Sequence, residues 1–307
     1  MKADGRKRKT EININNITAI SRQDGSALII TLLLVTVLVA LVVDFVYEVY
    51  IDTSSLSNWS NAQKASFIAK SGQTLSTEFL KDIKEDDYTD QHDQEMPVGN
   101  FLGAKIDLIV KVEDENSKFN INSIIYQNGK TNTTELSSLK KLFEYLNINP
   151  DLPLVIADWI DPDIEPRLAD SEDAAKNTFL WSVDELKLIE GINKKIFDRL
   201  SPYITVFGTN QININTAEIP VLVCLNDNMT EAHAKKIIDY RNDSPYEHTA
   251  DVQQAGIEAS IASPIISRTT VKSSYFRITS TANVNGITRI IESVMDTDMN
   301  IHFWREG

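Results

Sequence analysis

The chain has a single cysteine, Cys224, so no disulfide can form within it; a lone cysteine is ordinarily a small buried hydrophobe. Histidine is scarce too, with His92, His233, His248 and His302 dispersed along 307 residues. No G-x-S-x-G, H-E-x-x-H or phosphate-loop spacing occurs, which points away from an enzyme. Base falls short of acid, 30 Lys and Arg against 44 Asp and Glu, for a formal net charge of −14. That deficit is uneven. Residues 1–25 carry six bases and three acids, leaving the remainder with a net charge of −17. A body of that sign repels nucleic acid and anionic head groups and attracts cations. Proline is absent from Ser26 to Lys84, and Gly72 is the only glycine there.

What is there begins with the run SALIITLLLVTVLVALVV at residues 26–43, eighteen positions without a charge. With Phe45, Val46 and Tyr47 beyond Asp44 it is just long enough to cross a bilayer, which needs about 20 residues. The bases Lys2, Arg6, Lys7, Arg8, Lys9 and Arg22 precede it, predicting a cytoplasmic N-terminus with the acidic body across the membrane. An ordinary signal peptide cut near Ala40 is the alternative. Against it, the apolar run exceeds the usual 7 to about 15 residues, and Leu38-Val39-Ala40 is a poor small-x-small site. Gly25 stands instead at the polar/apolar boundary, where a prepilin peptidase cuts, so the expected products are a leader at 1–25 and a mature chain that keeps its apolar segment.

Residues 26–84 read as one helix, apolar all round at first and amphipathic later, with a kink or break expected around Asp52 to Ser55. Residues 85–99 read as an acidic loop. The period then becomes two: Ile106, Leu108, Val110 and Val112 share one face of a strand at 105–113. A return strand is expected at 118–124 after a turn at Asp114-Glu115-Asn116. From about 133 to 267 the pattern is helical, with helices expected at 134–146, 152–158, 183–188, 194–201, 219–225 and 231–242. Ser182 with Glu185 forms a capping-box pattern, and Thr230 suits an N-cap. Strands at 275–284 and 287–296 flank Asn285-Gly286, a strong hairpin signal. Trp159, Trp181 and Tyr203 read as core aromatics. The expected fold is α+β: a long N-terminal helix packed on a small antiparallel sheet, with a large helical insertion between strands. The sheet is expected at 100–130 and 271–300, the insertion at 131–270 and a tail at 301–307.

Several stretches in this order resemble the type II secretion minor pseudopilin K family (general secretion pathway protein K). They are the Gly25-Ser26 junction, Val112-Glu113-Asp114 with Lys118-Phe119-Asn120-Ile121-Asn122, and Ala157-Asp158-Trp159-Ile160-Asp161-Pro162-Asp163. Ser182-Val183-Asp184-Glu185-Leu186, Leu200-Ser201-Pro202-Tyr203-Ile204-Thr205-Val206 and Ile212-Asn213-Ile214-Asn215-Thr216-Ala217 follow. The resemblance covers nearly the whole chain from Ser21. It implies a pseudopilin fold, cleavage after Gly25 with methylation of Ser26, and a single-pass inner-membrane protein with a periplasmic body. It also implies no enzymatic activity, and assembly with minor pseudopilins I and J on an inner-membrane platform as the tip that primes and caps the pseudopilus. Most pseudopilins carry glutamate fifth after the cleavage site; here that residue is Ile30. A charge in the apolar run is tolerated when it pairs with the subunit ahead, so its loss fits a subunit with nothing ahead of it. The other reading is a single-pass anchored protein that binds a ligand or calcium outside any filament.

Asp158, Asp161, Asp163, Glu165, Asp170, Glu172 and Asp173 crowd into sixteen positions, where Pro162 and Pro166 stop a helix. Such oxygen ligands on an irregular loop suit calcium, and a solvated acidic loop is the plainer alternative. The resemblance favours calcium in a structural role, with Asp161, Asp163, Glu165, Asp170, Glu172 and Asp173 as candidate ligands. The family's Gly-Ala-Glu-Asp stretch and following tyrosines are replaced here by Asp170-Ser171-Glu172-Asp173-Ala174-Ala175, which puts a two-ion site in doubt. Residues 212–217, the helix beyond them and Ala234 to Arg241 resemble a helix-hairpin-helix unit, with a degenerate second copy at 189–195. The turn at 225–229 lacks the glycines that meet phosphate, and the body's charge opposes DNA binding, so packing modules and no nucleic-acid partner are expected.

Overall fold

The computed structural model describes residues 17–90, 94–98 and 106–307; the basic cluster of the leader and His92 lie outside the described residues. The chain divides into two compact units, meeting between Ser60 and Asn61. Helix α1, Ile17–Glu85, runs through that boundary without interruption, so the break expected near Asp52 does not occur, and the helix starts before Gly25. The absence of proline and the helix-forming leucines and alanines account for its length.

In the first unit the apolar span has no protein cover: none of its most apolar window is buried, and it is long and apolar enough to cross a membrane. Its two threonine hydroxyls are satisfied within the helix. Thr31 donates to the Leu28 carbonyl at 2.9 Å and Thr36 to the Leu33 carbonyl at 2.8 Å, as helix hydroxyls must where water is missing.

The second unit begins with the rest of α1, followed by β1 (Gln94–Val98), β2 (Ile106–Asp114) and β3 (Phe119–Asn120). Then come α2 (Thr133–Tyr145), α3 (Leu152–Ile160), α4 (Lys194–Leu200), β4 (Ile204–Thr205), β5 (Ile212–Asn213), α5 (Ile219–Val223), α6 (Glu231–Asp243) and α7 (Ala259–Ile266). The short β6 (Thr269–Thr270) leads into β7 (Tyr275–Val284), β8 (Ile287–Asp296) and β9 (Ile301–Glu306). Five strands form one antiparallel sheet in the order β1-β2-β7-β8-β9. The β7–β8 hairpin turns at Asn285 and Gly286, whose φ values of 52° and 86° are those a two-residue turn demands.

The expected architecture therefore holds, with four local differences. The acidic loop at 85–99 contains β1, which pairs Met96 with Val110. Residues 118–124 do not return along β2. Asp114 caps a 3-10 turn at Glu115–Ser117, and the chain leaves the sheet there, β3 pairing instead in parallel with β4. The insertion thus starts near 115 rather than 131. Residues 301–307, expected as a tail, supply edge strand β9. A tight turn makes this possible: the Asp296 carboxylate accepts from the backbone of Asp298 and Asn300, both at 2.9 Å. Trp181, expected in the core, is 76% exposed, with the Lys176 ammonium 4.7 Å from its ring centre. Trp159 and Tyr203 do pack against the core.

Two cores result. The larger lies inside the insertion around Phe119, Phe143, Ile156, Leu186 and Ile237. The smaller lies between α1 and the sheet, around Ala69, Leu80, Val110, Ile278 and Ile291. On the part of α1 around Gly72 small residues face the sheet: Ala65, Ala69 and Ser76 are fully buried. A Cβ on Gly72 would lie 2.2 Å from Ser280 Oγ and 2.9 Å from Val110 Cγ2. Next to it, buried Gln73 donates to the carbonyls of Ile278 and Ile291 at 3.1 and 3.0 Å and accepts from Ser293 at 2.6 Å.

A polar junction closes the base of the insertion. Asp114 Oδ2 accepts from Ser273 at 2.6 Å and Thr216 at 2.5 Å, and Asn116 Oδ1 accepts from the backbone of Ser274 and Tyr275. Burial pushes the Asp114 carboxyl up to about 6 against these donors. Buried Glu115 meets Lys118 at 2.8 Å and Arg277 at 2.7 Å and accepts from the Thr205 hydroxyl. Burial opposes its ionisation, but Lys118 and Arg277 outweigh it and hold the carboxyl at about 2.

Two outcomes are expected. Gly72→Ala gains up to about 1 kcal/mol of helix propensity but overpacks the contact, so a net loss of about 1–2 kcal/mol is expected by thermal melting. Ser280→Ala in the same protein should recover part of it. Glu115 is depressed from its ordinary 4.5 to about 2, so its contribution is full above 4.5 and vanishes as pH falls through 2. Glu115→Gln should cost about 3 kcal/mol at pH 7 and little at pH 2.

Candidate functional site

The acidic segment starts on α3. Pro153 sits in its first turn, Asp158 in its last, and Asp161 is its C-cap, its backbone N–H donating to the Ala157 carbonyl at 2.9 Å. Pro162 follows and prevents continuation. The three-residue spacing places Asp158 and Asp161 on one helical face. Asp163 accepts from the Glu165 backbone at 2.9 Å, forming a local turn. Turns at 168–175 then bring Glu172 back toward α3. One of them needs Asp170 at φ 65°. That left-handed value suits the glycine of the resembled pattern, and aspartate tolerates it.

Oxygens of Asp158, Asp161 and Glu172 lie within 4.8 Å of one another. Both aspartates are fully buried. Arg167 answers them: its Nη1 meets Asp161 Oδ2 at 2.5 Å and also pairs with Asp158 Oδ1. Its backbone N–H donates to Asp158 Oδ2 at 2.9 Å and its Nη2 to the Thr131 hydroxyl at 2.7 Å. The Ser171 hydroxyl adds a further donor to Asp158. Neither Asp161 nor Glu172 accepts a hydrogen bond at either carboxylate oxygen. Burial raises the pKa of Asp161, with Asp163 and Asp158 adding to the shift against the pull of Arg167. Glu172 is raised by burial and by the charges of Asp158, Asp161 and Asp163.

Of the residues proposed from sequence, Asp161 and Glu172 are thus brought together. Asp163, Glu165, Asp170 and Asp173 are exposed and lie outside the cluster. Asp158 was visible in the acidic crowd but not assigned as a ligand; its spacing from Asp161 was the available signal. Oxygens on one calcium ion lie 2.3–2.6 Å from it, hence no more than about 5 Å apart, so the cluster fits one such ion. Three carboxylates less one guanidinium leave two negative charges, which one divalent ion neutralises.

The remaining sequence candidates sit elsewhere. Gly25 and Ser26 both lie in α1 and are exposed, as is Ile30 at 61%. Cys224 is buried, which pushes its thiol up to about 12 and leaves it unreactive. His233 caps α6 with Thr230, His248 caps a 3-10 segment, and His302 meets Asp296 at 2.8 Å. At the hairpin turn 225–229, the Lys141 ammonium donates to the carbonyls of Asn226, Asp227 and Met229 at 2.5, 2.8 and 2.8 Å. That hairpin is tied to α2, a packing role.

Glu172→Gln removes one of the crowded charges. A group raised by the fold weakens it as pH climbs through the shifted value. With EGTA present the variant should melt about 2 °C higher than the unsubstituted chain at pH 7.5, and the gap should close by pH 4.

Comparison with known proteins bears on this chain as a whole. Two models described as type II secretion system protein K match residues 117–209 and 212–269, together most of the insertion. The type II secretion system protein K of Pseudomonas aeruginosa is 24% identical over 254 residues, 75% of each chain. That of Aeromonas hydrophila is 25% identical over 315 residues, covering 89% of this chain and 92% of its own. A crystal structure of the GspK-GspI-GspJ complex from the enterotoxigenic Escherichia coli type 2 secretion system contains a chain of the same fold. It superposes with a TM-score of 0.64 at 18% identity, over 83% of this chain and 99% of that one.

Proposed function

The chain belongs to the type II secretion system protein K family, and from that membership we propose that it is a minor pseudopilin that primes and caps the pseudopilus during protein export across the outer membrane. In this reading prepilin peptidase removes residues 1–25 and methylates Ser26. The mature chain stays in the inner membrane through its apolar helix, N-terminus cytoplasmic and body periplasmic. It joins minor pseudopilins I and J on the assembly platform, and its work is done by binding and shape.

One observation carries the proposal: a chain with an uncovered membrane-length helix bears the sheet-borne helical insertion that both family models match. The solved complex of a similarly folded chain with GspI and GspJ supports the choice of partners. Ile30 supports the terminal position, since a glutamate there would be costly without an amine ahead of it. The bulk of the insertion is consistent with a subunit on which no other is stacked. A structural role for calcium also belongs here: one ion held by Asp158, Asp161 and Glu172 would pin the loop after α3 against that helix.

The first test is the N-terminus of the envelope-extracted protein, by intact mass and terminal peptide sequencing. The expected start is N-methyl-Ser26, with I and J co-purifying. A start near Leu41, or an intact Met1, would overturn the filament reading.

A further inference from the structure

The acidic cluster contains a cation of its own, and the carboxylates are shared unequally with it. Asp158 is fully answered by Arg167 and Ser171, through the guanidinium, the Arg167 backbone N–H and the serine hydroxyl. Glu172 receives no donor at all. Asp161 stands between them, in an ion pair with Arg167 yet accepting no hydrogen bond. The guanidinium is itself about four-fifths covered and is held from the far side by Thr131. It therefore lies over two aspartates that solvent does not reach. Lys176, the next cation along the chain, is engaged with Glu185 at 2.6 Å and the Phe179 carbonyl at 3.1 Å. Two buried carboxylates one helical turn apart repel strongly unless a cation lies between them.

We infer that Arg167 is the resident cation of this loop: it holds Asp158 and Asp161 in place with no metal bound and, as a like charge beside the ion, sets how tightly calcium is held. The inference rests on the single-ion reading above. An arriving ion takes up Glu172 and competes with Arg167 for Asp161 and Asp158. The loop is then ordered in the apo protein, and calcium tightens it rather than folding it. A chain without the arginine would depend on metal for the same conformation.

The experiment compares the full-length chain, in detergent, with Arg167→Gln, using thermal melts in EGTA and in calcium chloride and calorimetric titration with calcium. The expected result is a lower melting temperature for R167Q in EGTA, a larger calcium-induced rise and calcium binding about tenfold tighter. R167Q folded only in calcium would be the extreme form of the same result. Equal calcium affinity and equal melting shifts in both proteins would overturn the role of Arg167 while leaving the ion site standing. No calcium binding by either protein would overturn the ion site, and the inference with it. If R167Q folds under neither condition, Thr131→Val loosens the guanidinium without removing its charge. A calcium-induced rise larger than in the unsubstituted chain supports the inference, and an unchanged one overturns it.

Discussion

The contact between α1 and the sheet at Gly72 is the constraint on which the rest of the second unit depends. A helix can lie this close to strands only where its facing residues are small, and Ala65, Ala69, Gly72 and Ser76 supply that stripe. Closeness then permits what a longer gap would forbid. Gln73 reaches two strands at once and satisfies carbonyls on β7 and β8. Leu80 and Ile83 complete the apolar layer over β2 and β7. The same helix continues into the apolar span.

The insertion depends on a different kind of interaction. Its ends are joined to the sheet by polar groups rather than by a hydrophobic seam. Asp114, Glu115 and Asn116, three successive residues at the end of β2, meet Thr216, Ser273, Arg277 and the backbone of Ser274 and Tyr275. Buried charge of this sort contributes less net stability than its geometry suggests, because desolvation offsets much of the attraction. What it does supply is direction: the strand ends where the carboxylates begin, and the chain can leave only toward their partners. The acidic loop uses the same device on a smaller scale, with Arg167 in the place that Lys118 and Arg277 hold at the junction.

The long helix, the β7–β8 hairpin and the helical block were legible in the sequence because each is set by local pattern: an absence of proline, an Asn-Gly turn, and capping residues such as Ser182 and Thr230. What was not legible depends on residues far apart in sequence. The turn at 114–117 looked like a hairpin because Asp, Glu and Asn favour turns, whereas its direction is set by Arg277 and Ser273. Strand β9 was missed because it follows a turn at Met299, with φ 67° and no glycine to announce it. At the acidic loop the chemistry was visible and the partition was not. Asp161 and Glu172 converge, while Asp163, Glu165, Asp170 and Asp173 face outward, because Pro162 and the backbone at Asp170 determine which carboxylates turn inward.

The route of the chain through the sheet has a kinetic side. Strands β2 and β7 are neighbours, yet the Asp114 and Ser273 hydrogen bond that locks their ends joins residues 159 positions apart. Closing so long a span from a disordered chain is entropically costly, and sheets built on such distant pairings are slow to form. The insertion shortens the search, since once its own core is built it presents both of its ends side by side. Without α1 the apolar face around Val110, Ile278 and Ile291 has no cover, and an uncovered sheet face of that kind invites wrong associations.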